Sequence, residues 1–198
     1  MLYIIVMKIL IIYTYPHHNS LNGAIFDAVI QNLNNEHDVK IIDLYQEHFN
    51  PVLNFDKNNK RRDLFLSTET KKYREAISWS NHLIFIFPIW WSSMPAILKG
   101  FIDKVFAQNF AYSYDSNKII PHKLLHGKTA SIIVTHDTPQ FIAKYIQKDY
   151  GKILKKQILE NMCGIRVNAL ISFPNVRKSS LKRRANFLNK IKVYAKKL

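Results

Sequence analysis

The 198-residue sequence predicts an α/β fold, namely a five-stranded parallel sheet, doubly wound, with helices on both faces. Five apolar runs of strand length alternate along the chain with segments whose apolar residues recur every three to four positions. The runs are apolar at nearly every position, which is typical of parallel strands buried on both faces. Right-handed crossovers between such strands favour the doubly wound arrangement.

The chain opens on an apolar segment whose second half, residues 8–13, is the first predicted strand. The segment lacks a basic leading region and a small-residue cleavage site, and Lys8 interrupts it, so it does not match a signal peptide. It is also too short to cross a bilayer. We expect residues 1–6 to be an N-terminal extension or an upstream start, with Met7 as the alternative start, and residues 7–198 to form a single domain.

The remaining elements follow from the alternation of apolar runs and helical stripes. The predicted strands are residues 8–13, 38–44, 82–87, 129–135 and 165–173. The predicted helices are residues 20–33, 67–79, 95–106, 139–162 with a break near Gly151, and 179–197. Two irregular stretches, residues 45–66 and 109–127, exceed the usual loop length, which indicates a functional or interface role.

Composition sets the broad class. A hydrophobic fraction of 47% suits a globular protein with a core, and the single cysteine, Cys163, excludes an intrachain disulfide and a thiolate metal cluster. A lone cysteine fits a reducing compartment, and we expect the protein in the cytoplasm. The net charge of +15 attracts anions such as phosphate-bearing cofactors, nucleic acids and membrane surfaces. The sequence contains no nucleic-acid recognition motif, so a solvated basic surface is favoured over nucleic-acid binding.

Three loops follow the first, third and fourth predicted strands, and all three are expected at one edge of the sheet, where parallel α/β sheets bind ligands. The first loop ends at a helix start, where Ser20 is a candidate N-cap and backbone N–H groups can face an anion. The loop has no glycine before Gly23, so it is neither a dinucleotide fingerprint nor a Walker loop. A simply capped helix start is the alternative, and no metal is expected at His17 and His18.

The second loop carries the most informative segment of the chain. Pro88 ends the third strand, two tryptophans and two serines follow, and Pro95 suits the first turn of the next helix. Trp90 and Trp91 indicate a surface for a flat ligand, with core or dimer packing as the alternative. Gly100 is unexpected inside a helix and indicates close approach by another backbone, a ligand or a subunit.

The third loop places His136 beside Asp137, so His136 is a candidate proton donor with a neighbouring carboxylate to orient it. Adjacent side chains in an extended loop tend to point apart, which weighs against a true dyad. The sequence contains no nucleophile elbow and no carboxylate spacing typical of a metal site. A cofactor that carries the reactivity itself fits these loops best.

These segments resemble the flavodoxin-like NAD(P)H:quinone oxidoreductases, a flavin-dependent family. The most specific match is the central motif, Phe87-Pro88-x-Trp90-Trp91-x-x-x-Pro95-Ala96-x-Leu98-Lys99-Gly100-x-x-Asp103-Lys104-Val105. Weaker matches are Tyr15-Pro16-x-x-x-Ser20-Leu21-Asn22, Phe110-Ala111-Tyr112-x-Tyr114, Thr135-x-Asp137-Thr138-Pro139 and Cys163-Gly164-Ile165. The resemblance covers nearly the whole chain from Met7 onward.

The resemblance implies a flavodoxin-like fold that binds a flavin, FAD being expected and FMN possible, with NAD(P)H as co-substrate. The phosphate-binding residues would be His17, Asn19, Ser20, Leu21 and Asn22. The isoalloxazine would contact Pro88, Ile89, Trp90, Trp91 and Ser92, largely through backbone, and its other edge would meet Thr135, His136 and Asp137. The substrate position would be covered by Tyr112 and Tyr114, lent by the partner subunit of a homodimer.

The sequence departs from the family at three places. Tyr15 stands where the family usually has histidine, Leu21 replaces phenylalanine, and His136-Asp137 replaces a frequent Gly-Gly. The first two changes concern the phosphate contacts, and the third removes backbone flexibility beside the flavin. Trp90 and Trp91 are then expected to be rigid supports for the loop backbone, with Gly100 near the dimer interface.

The functional hypothesis is a homodimeric flavoenzyme that transfers two electrons from NAD(P)H to a quinone or similar acceptor by ping-pong kinetics. One alternative is an accessory subunit that regulates a potassium-efflux transporter, as relatives of the family do. A second is a flavodoxin-type electron carrier, although such carriers usually have an acidic surface. FAD is favoured over FMN because the first loop is wide and residues 45–66 could cover an adenosine.

Overall fold

The structure, a computed structural model, describes residues 6–57, 60–115, 118–147 and 150–198. The predicted extension, residues 1–6, therefore lies outside the described residues except for Val6. The strands are β1 (Lys8–Tyr13), β2 (Asp38–Asp43), β3 (His82–Pro88), β4 (Tyr112–Ser113), β5 (His122–Lys123), β6 (Thr129–Thr135) and β7 (Arg166–Phe173). The α-helices are α1 (Leu21–Ile30), α2 (Lys71–Trp79), α3 (Ala96–Val105), α4 (Gln140–Ile142) and α5 (Leu181–Ala195).

The main sheet confirms the predicted five parallel strands, in the order β2-β1-β3-β6-β7. Each of the seven residues of the central strand β3 is buried, which explains why the sequence there is apolar at nearly every position. One face of the sheet packs against α1 and α5, and the other against α2, α3 and a helix at Ile153–Cys163. The sheet is therefore doubly wound, as predicted.

Three irregular regions differ in detail from the sequence expectations. The predicted helix 139–162 is broken, as expected, where Tyr150 and Gly151 both take positive φ values, but Ala143–Gln147 and Ile153–Cys163 are π-helical. The stretch 45–66 contains a 3₁₀-helix at Arg61–Leu66, and the stretch 109–127 contains the antiparallel β4–β5 pair. Elements this short carry too little periodicity to be found from sequence.

Gly100 serves the chain's own packing. A Cβ atom at Gly100 would lie 2.4 Å from Cβ and 2.5 Å from the carbonyl oxygen of Pro51, so only glycine lets the 45–66 stretch lie this close to α3. The buried Lys104 of α3 stabilises the contact between α3 and the 45–66 stretch. Its Nζ donates to the carbonyl of Asn50 at 3.0 Å and pairs with the carboxylate of Glu69 at 2.7 Å. The close approach by another backbone that the sequence indicated at Gly100 is therefore confirmed, with Pro51 of the same chain as that backbone, and a dimer interface near Gly100 stays a prediction.

Hydrogen bonds continue beyond the strand ends and join the loops that follow. The N–H of Thr14 donates to the carbonyl of Ile86 at 2.9 Å, and the N–H of Ile89 donates to that of Thr135 at 2.8 Å. The N–H of His136 donates to the carbonyl of Phe173 at 3.0 Å. The loops after β1, β3, β6 and β7 consequently begin in fixed register with one another.

The loop after β3 turns tightly at residues 90–93. Trp90 and Ser93 exchange two backbone hydrogen bonds of 2.9 and 3.0 Å, while Trp91 and Ser92 between them have φ values of 48° and 64°. Two successive left-handed residues define the reversed turn that normally selects glycine or asparagine. Placing tryptophan and serine there costs about 1 kcal/mol per residue in backbone strain, which the flanking hydrogen bonds hold in place.

A buried polar network lies at the opposite edge of the sheet. The imidazole of His82 contacts the hydroxyl of Thr129 at 2.7 Å and that of Ser131 at 2.9 Å, and Ser131 in turn bonds the hydroxyl of Tyr194 on α5. Burial lowers the pKa of His82 to about 4. The folded chain therefore holds this ring neutral where the unfolded chain would protonate it.

We expect this histidine to make the protein less stable in acid. Between about pH 6.5 and pH 4 the unfolded chain binds a proton at His82 that the folded chain does not, so stability falls as the pH falls through that window. The difference amounts to about 2 kcal/mol between pH 7 and pH 5. Urea unfolding at both pH values should show this loss for the native chain and for the control His126→Gln, which alters an exposed histidine. His82→Gln should lose markedly less, and an equal loss in all three proteins would contradict the account.

The strained turn predicts the effect of glycine at two adjacent serines. Ser92→Gly removes left-handed strain, so the free energy of unfolding should stay unchanged or rise by about 1 kcal/mol despite the added flexibility of the unfolded chain. Ser93→Gly gains no such relief, because φ is not positive there, and should lower stability by about 0.5–1 kcal/mol. Urea unfolding measures both, and equal destabilisation would show that the turn is not left-handed.

Candidate functional site

The loops at the carboxyl edge of the sheet enclose a crevice of about 690 Å³. This is within the range of roughly 300–1,000 Å³ that is usual for pockets binding small molecules and cofactors. The lining residues are Tyr15, Asn22, Pro88, Ile89, Trp90, Trp91, Ser92, Thr135, His136, Asp137, Thr138, Tyr150, Val176 and Arg177. Segments far apart in sequence therefore meet at the edge where the strand pattern predicted a ligand.

The first loop leads into α1 through a capped and closely packed turn. The hydroxyl of Ser20 accepts the N–H of Gly23 at 3.0 Å, which confirms Ser20 as the N-cap of α1. Gly23 is required here, because a Cβ atom would lie 1.8 Å from the carbonyl oxygen of His18. The side chain of Asn22 accepts a hydrogen bond from the buried hydroxyl of Thr135 at 3.1 Å, which ties the first loop to the third.

The other predicted residues of the first loop have different surroundings. His17 and Asn19 are exposed, and the carbonyl of His17 accepts the hydroxyls of Tyr13 at 3.3 Å and Ser20 at 3.2 Å. Leu21 is half-buried and packs against the core on the α1 side of the sheet. Of the five first-loop residues predicted to bind phosphate, only Asn22 lines the crevice.

The two tryptophans of the second loop are not the supports that the sequence suggested. The side chain of Trp91 is fully exposed, and Trp90 is 41% exposed with its ring centroid 6.3 Å from that of Tyr15. The backbone bonds of the 90–93 turn hold the loop, rather than packing of the indole rings. Among the described residues, no hydrogen bond occupies the backbone N–H of Trp91 or Ser92, so both remain available to a ligand in the crevice.

His136 of the third loop is buried and bonded on both sides of its ring. Nδ1 lies 2.8 Å from the carbonyl oxygen of Thr138, and Nε2 lies 2.7 Å from the hydroxyl of Ser172. The ring meets that of Tyr150 edge-on at 4.6 Å, and burial lowers the pKa of His136. The geometry fits a neutral imidazole that donates to Thr138 and accepts from Ser172.

Asp137 turns away from His136 and closes the crevice against the loop after β7. Its carboxylate accepts the backbone N–H of Arg177 at 2.8 Å and contacts Nε of the same residue at 2.8 Å. The N–H of Val176 also donates to the carbonyl of His136 at 3.2 Å. The His136–Asp137 dyad that the sequence left open is therefore absent, since the two side chains bind different partners.

Sequence reasoning missed three residues of the crevice, Tyr150, Val176 and Arg177, and named Tyr15 and Thr138 only within motifs. The hydroxyl of Tyr150 forms a hydrogen bond of 2.6 Å with that of Thr138. Tyr150 reaches this position through a positive φ, and the glycine that follows it, Gly151, is the only local sequence feature that indicates such a turn. The signal that could have identified Arg177 is its place in the loop that follows the last strand, at the same edge of the sheet as the other three loops.

Tyr112 and Tyr114 do not line this crevice. Their rings meet at 5.7 Å beside a separate groove of about 530 Å³, which Tyr112 lines together with Phe106, Met162 and Cys163. Burial raises the pKa of Tyr112 and raises that of Cys163 to about 12, so this thiol is not a nucleophile.

His18 is held at the outer side of the first loop. Its Nε2 lies 2.7 Å from Oδ2 of Asp43, the last residue of β2, and its ring stacks on Tyr13 at 4.8 Å and meets Phe26 edge-on at 5.2 Å. The other carboxylate oxygen of Asp43 accepts the N–H groups of Tyr45 and Gln46, each at 3.1 Å. No local pattern indicates this pair, because 25 residues separate its members.

The crevice offers aromatic faces, hydroxyls and backbone donors rather than an acid–base set. Asp137 is the one carboxylate among the described lining residues, and Arg177 engages it. Among the described residues, the backbone N–H groups of Trp91 and Ser92 at the rim of the crevice have no hydrogen-bond partner. An open, partly aromatic cleft with unoccupied polar groups fits a planar cofactor with an anionic tail.

Comparison with known proteins gives consistent results. A family model described as "Flavodoxin-like fold" matches residues 7–198. A solved structure, that of Smu.1420 from Streptococcus mutans, is 50% identical with a TM-score of 0.92, and the match covers 97% of this chain and all of that one. Across the described residues, no helix combines the length and apolar character needed to cross a membrane.

Two curated relatives carry names that describe an activity. The uncharacterized NAD(P)H oxidoreductase YcaK of Escherichia coli is 31% identical over 161 residues, which cover 79% of this chain and 76% of YcaK. Human ribosyldihydronicotinamide dehydrogenase [quinone] is 33% identical over 154 residues, which cover 65% of this chain and 62% of the human protein. This chain belongs to the flavodoxin-like family, in the group of the NAD(P)H:quinone oxidoreductases.

Proposed function

We propose that this protein is a flavin-dependent NAD(P)H:quinone oxidoreductase whose flavin binds in the crevice at the carboxyl edge of the sheet. The observation that carries the proposal is the left-handed turn at residues 90–93, which leaves the N–H groups of Trp91 and Ser92 unoccupied beside an aromatic cleft. The names of YcaK and of the human relative support the reaction class.

Each loop would hold a different part of the flavin. The start of α1, capped by Ser20 and without an acidic residue in its first turn, suits the phosphate. The backbone of residues 88–92 would bond the polar edge of the isoalloxazine, and Thr135 would limit its other side. The Asn22–Thr135 hydrogen bond keeps these two subsites at a fixed separation.

When bound, a flavin supplies two-electron transfer between NAD(P)H and an acceptor through its N5 position. The protein contributes binding, orientation and a preformed set of donors that favour negative charge on the reduced ring. One crevice has to serve both substrates in turn, which predicts ping-pong kinetics with a quinone or similar acceptor. The net charge of +15 favours encounter with anionic NAD(P)H.

We assign His136 a positioning role in place of the proton donation that the sequence suggested. Both ring nitrogens are engaged by Thr138 and Ser172, and burial favours the neutral ring. Donating a proton to substrate would require breaking one of these bonds. The ring instead holds the third loop against β7, and Asp137 completes that junction through Arg177.

We further propose a homodimer in which Tyr112 and Tyr114 cover the crevice of the partner subunit. These tyrosines lie outside their own crevice, beside an apolar groove on the α3 side of the molecule. A cytoplasmic location, inferred from the lone cysteine, stays a prediction. The relatives described above are named as reductases or dehydrogenases and lend no support to a role as a transporter subunit.

FAD remains the flavin that we expect, on the width of the first loop alone, with FMN as the alternative. The second argument for FAD, that residues 45–66 could cover an adenosine, loses its support. That stretch packs against α3, and none of its described residues, 45–57 and 60–66, lines the crevice.

The direct test is to purify the protein, record its visible spectrum and identify the released flavin by chromatography. We expect a yellow protein, or an apoprotein that becomes yellow with FAD or FMN, and NAD(P)H-dependent reduction of a benzoquinone with parallel double-reciprocal plots. A protein that takes up neither flavin would refute the proposal. Intersecting double-reciprocal plots would refute the proposal that NAD(P)H and the acceptor use the same crevice in turn.

Mixed dimers test the proposed role of Tyr112. One subunit carries Tyr112→Ala, and the other carries Asn22→Ala, which impairs its own crevice. If the tyrosine acts in the partner's crevice, the mixed dimer contains one intact site and recovers up to about half of the native activity, whereas each homodimer is impaired. If it acts within its own chain, the mixed dimer recovers nothing.

A further inference from the structure

We propose that His18 is a positioning residue that neutralises the carboxylate of Asp43 and thereby allows the first loop to accept the phosphate of a flavin. This inference rests on the proposed function and adds His18 to the residues that serve it. It derives from the His18–Asp43 pair of 2.7 Å, which the crevice itself does not include.

The location of Asp43 creates the need for such a residue. In the β1–β2 ladder Asp43 is the register partner of Tyr13, so its carboxylate lies at the same edge of the sheet as the first loop. The side chain is only 9% exposed, and therefore water screens its charge poorly. An unneutralised carboxylate here would repel an anion held at the start of α1.

Asp43 is nevertheless fixed in the fold. Its Oδ1 accepts the N–H groups of Tyr45 and Gln46, which turns the chain after β2. The carboxylate therefore shapes the turn and carries a charge that the phosphate site has to tolerate. A hydrogen-bond donor or cation placed against Oδ2 would meet both requirements, and Nε2 of His18 lies 2.7 Å from that oxygen.

The ring of His18 is held in one place from three sides. Tyr13 stacks on it at 4.8 Å, Phe26 meets its edge at 5.2 Å, and Asp43 bonds its Nε2. The carbonyl of His18 accepts the N–H of Ser20 at 2.7 Å and packs against Gly23, so the same residue also shapes the capped turn.

Flavins with and without phosphate separate this electrostatic role from simple scaffolding. Affinities of the apoprotein for FMN and for riboflavin, measured by quenching of flavin fluorescence, differ by the contribution of the phosphate. His18→Gln should weaken FMN binding on the order of tenfold, equivalent to about 1.4 kcal/mol, and change riboflavin binding much less. His18→Arg, which restores a cation beside Asp43, should recover most of the FMN affinity.

A second carboxylate change completes the test. Asp43→Asn removes the negative charge and keeps an oxygen for the backbone N–H groups. In the His18→Gln background it should restore FMN affinity, whereas Asp38→Asn, at the exposed start of the same strand, should not. Thermal unfolding of every variant monitors the fold.

The possible outcomes separate cleanly. Loss of FMN affinity in His18→Gln with recovery by Asp43→Asn supports the inference. Equal losses for FMN and riboflavin, no loss at all, or a loss that Asp43→Asn does not reverse would overturn it while leaving the proposed function intact. A native protein that binds no flavin would overturn the proposed function as well.

Discussion

The structure depends on the hydrogen-bonded pairing of the central strand β3 with its neighbours β1 and β6. This ladder does not stop where the strands end, because Thr14 donates to Ile86 and Ile89 donates to Thr135 just beyond them. The loops are therefore fixed to one another by backbone bonds that depend on no particular side chain. Loops joined by backbone hydrogen bonds can keep a strained turn in position. They can also keep the shape of a crevice that is lined mainly by neutral groups.

The backbone bonds between the loops also explain why the site needs few reactive side chains. The crevice residues bond mostly to each other, as Asn22 does with Thr135 and Asp137 with Arg177, so their role is to hold shape. Among the described crevice residues, the backbone N–H groups of Trp91 and Ser92 are left unoccupied. A protein built in this way leaves redox chemistry to a cofactor and supplies orientation and electrostatic preference.

The fold was largely predictable from sequence because it rests on long, uniform signals. Buried parallel strands are apolar throughout, and a capping serine precedes α1 at Ser20. The site was predictable only as a set of loops. Whether Asp137 binds its neighbour or Arg177, 40 residues further on, depends on tertiary structure that no local pattern encodes. The exposure of Trp91 could not be predicted either, because tryptophan is not a residue that normally indicates a left-handed turn.

The central claim is that a flavin ring lies against the backbone of the 90–93 turn. Amide hydrogen exchange, followed by mass spectrometry with and without FMN, tests it most directly. The account predicts slower exchange in the peptides that cover residues 88–93 and 135–138, with no change around the separate groove lined by Phe106 and Met162. Protection confined to that groove, or unchanged exchange at residues 88–93 when FMN is bound, would contradict it.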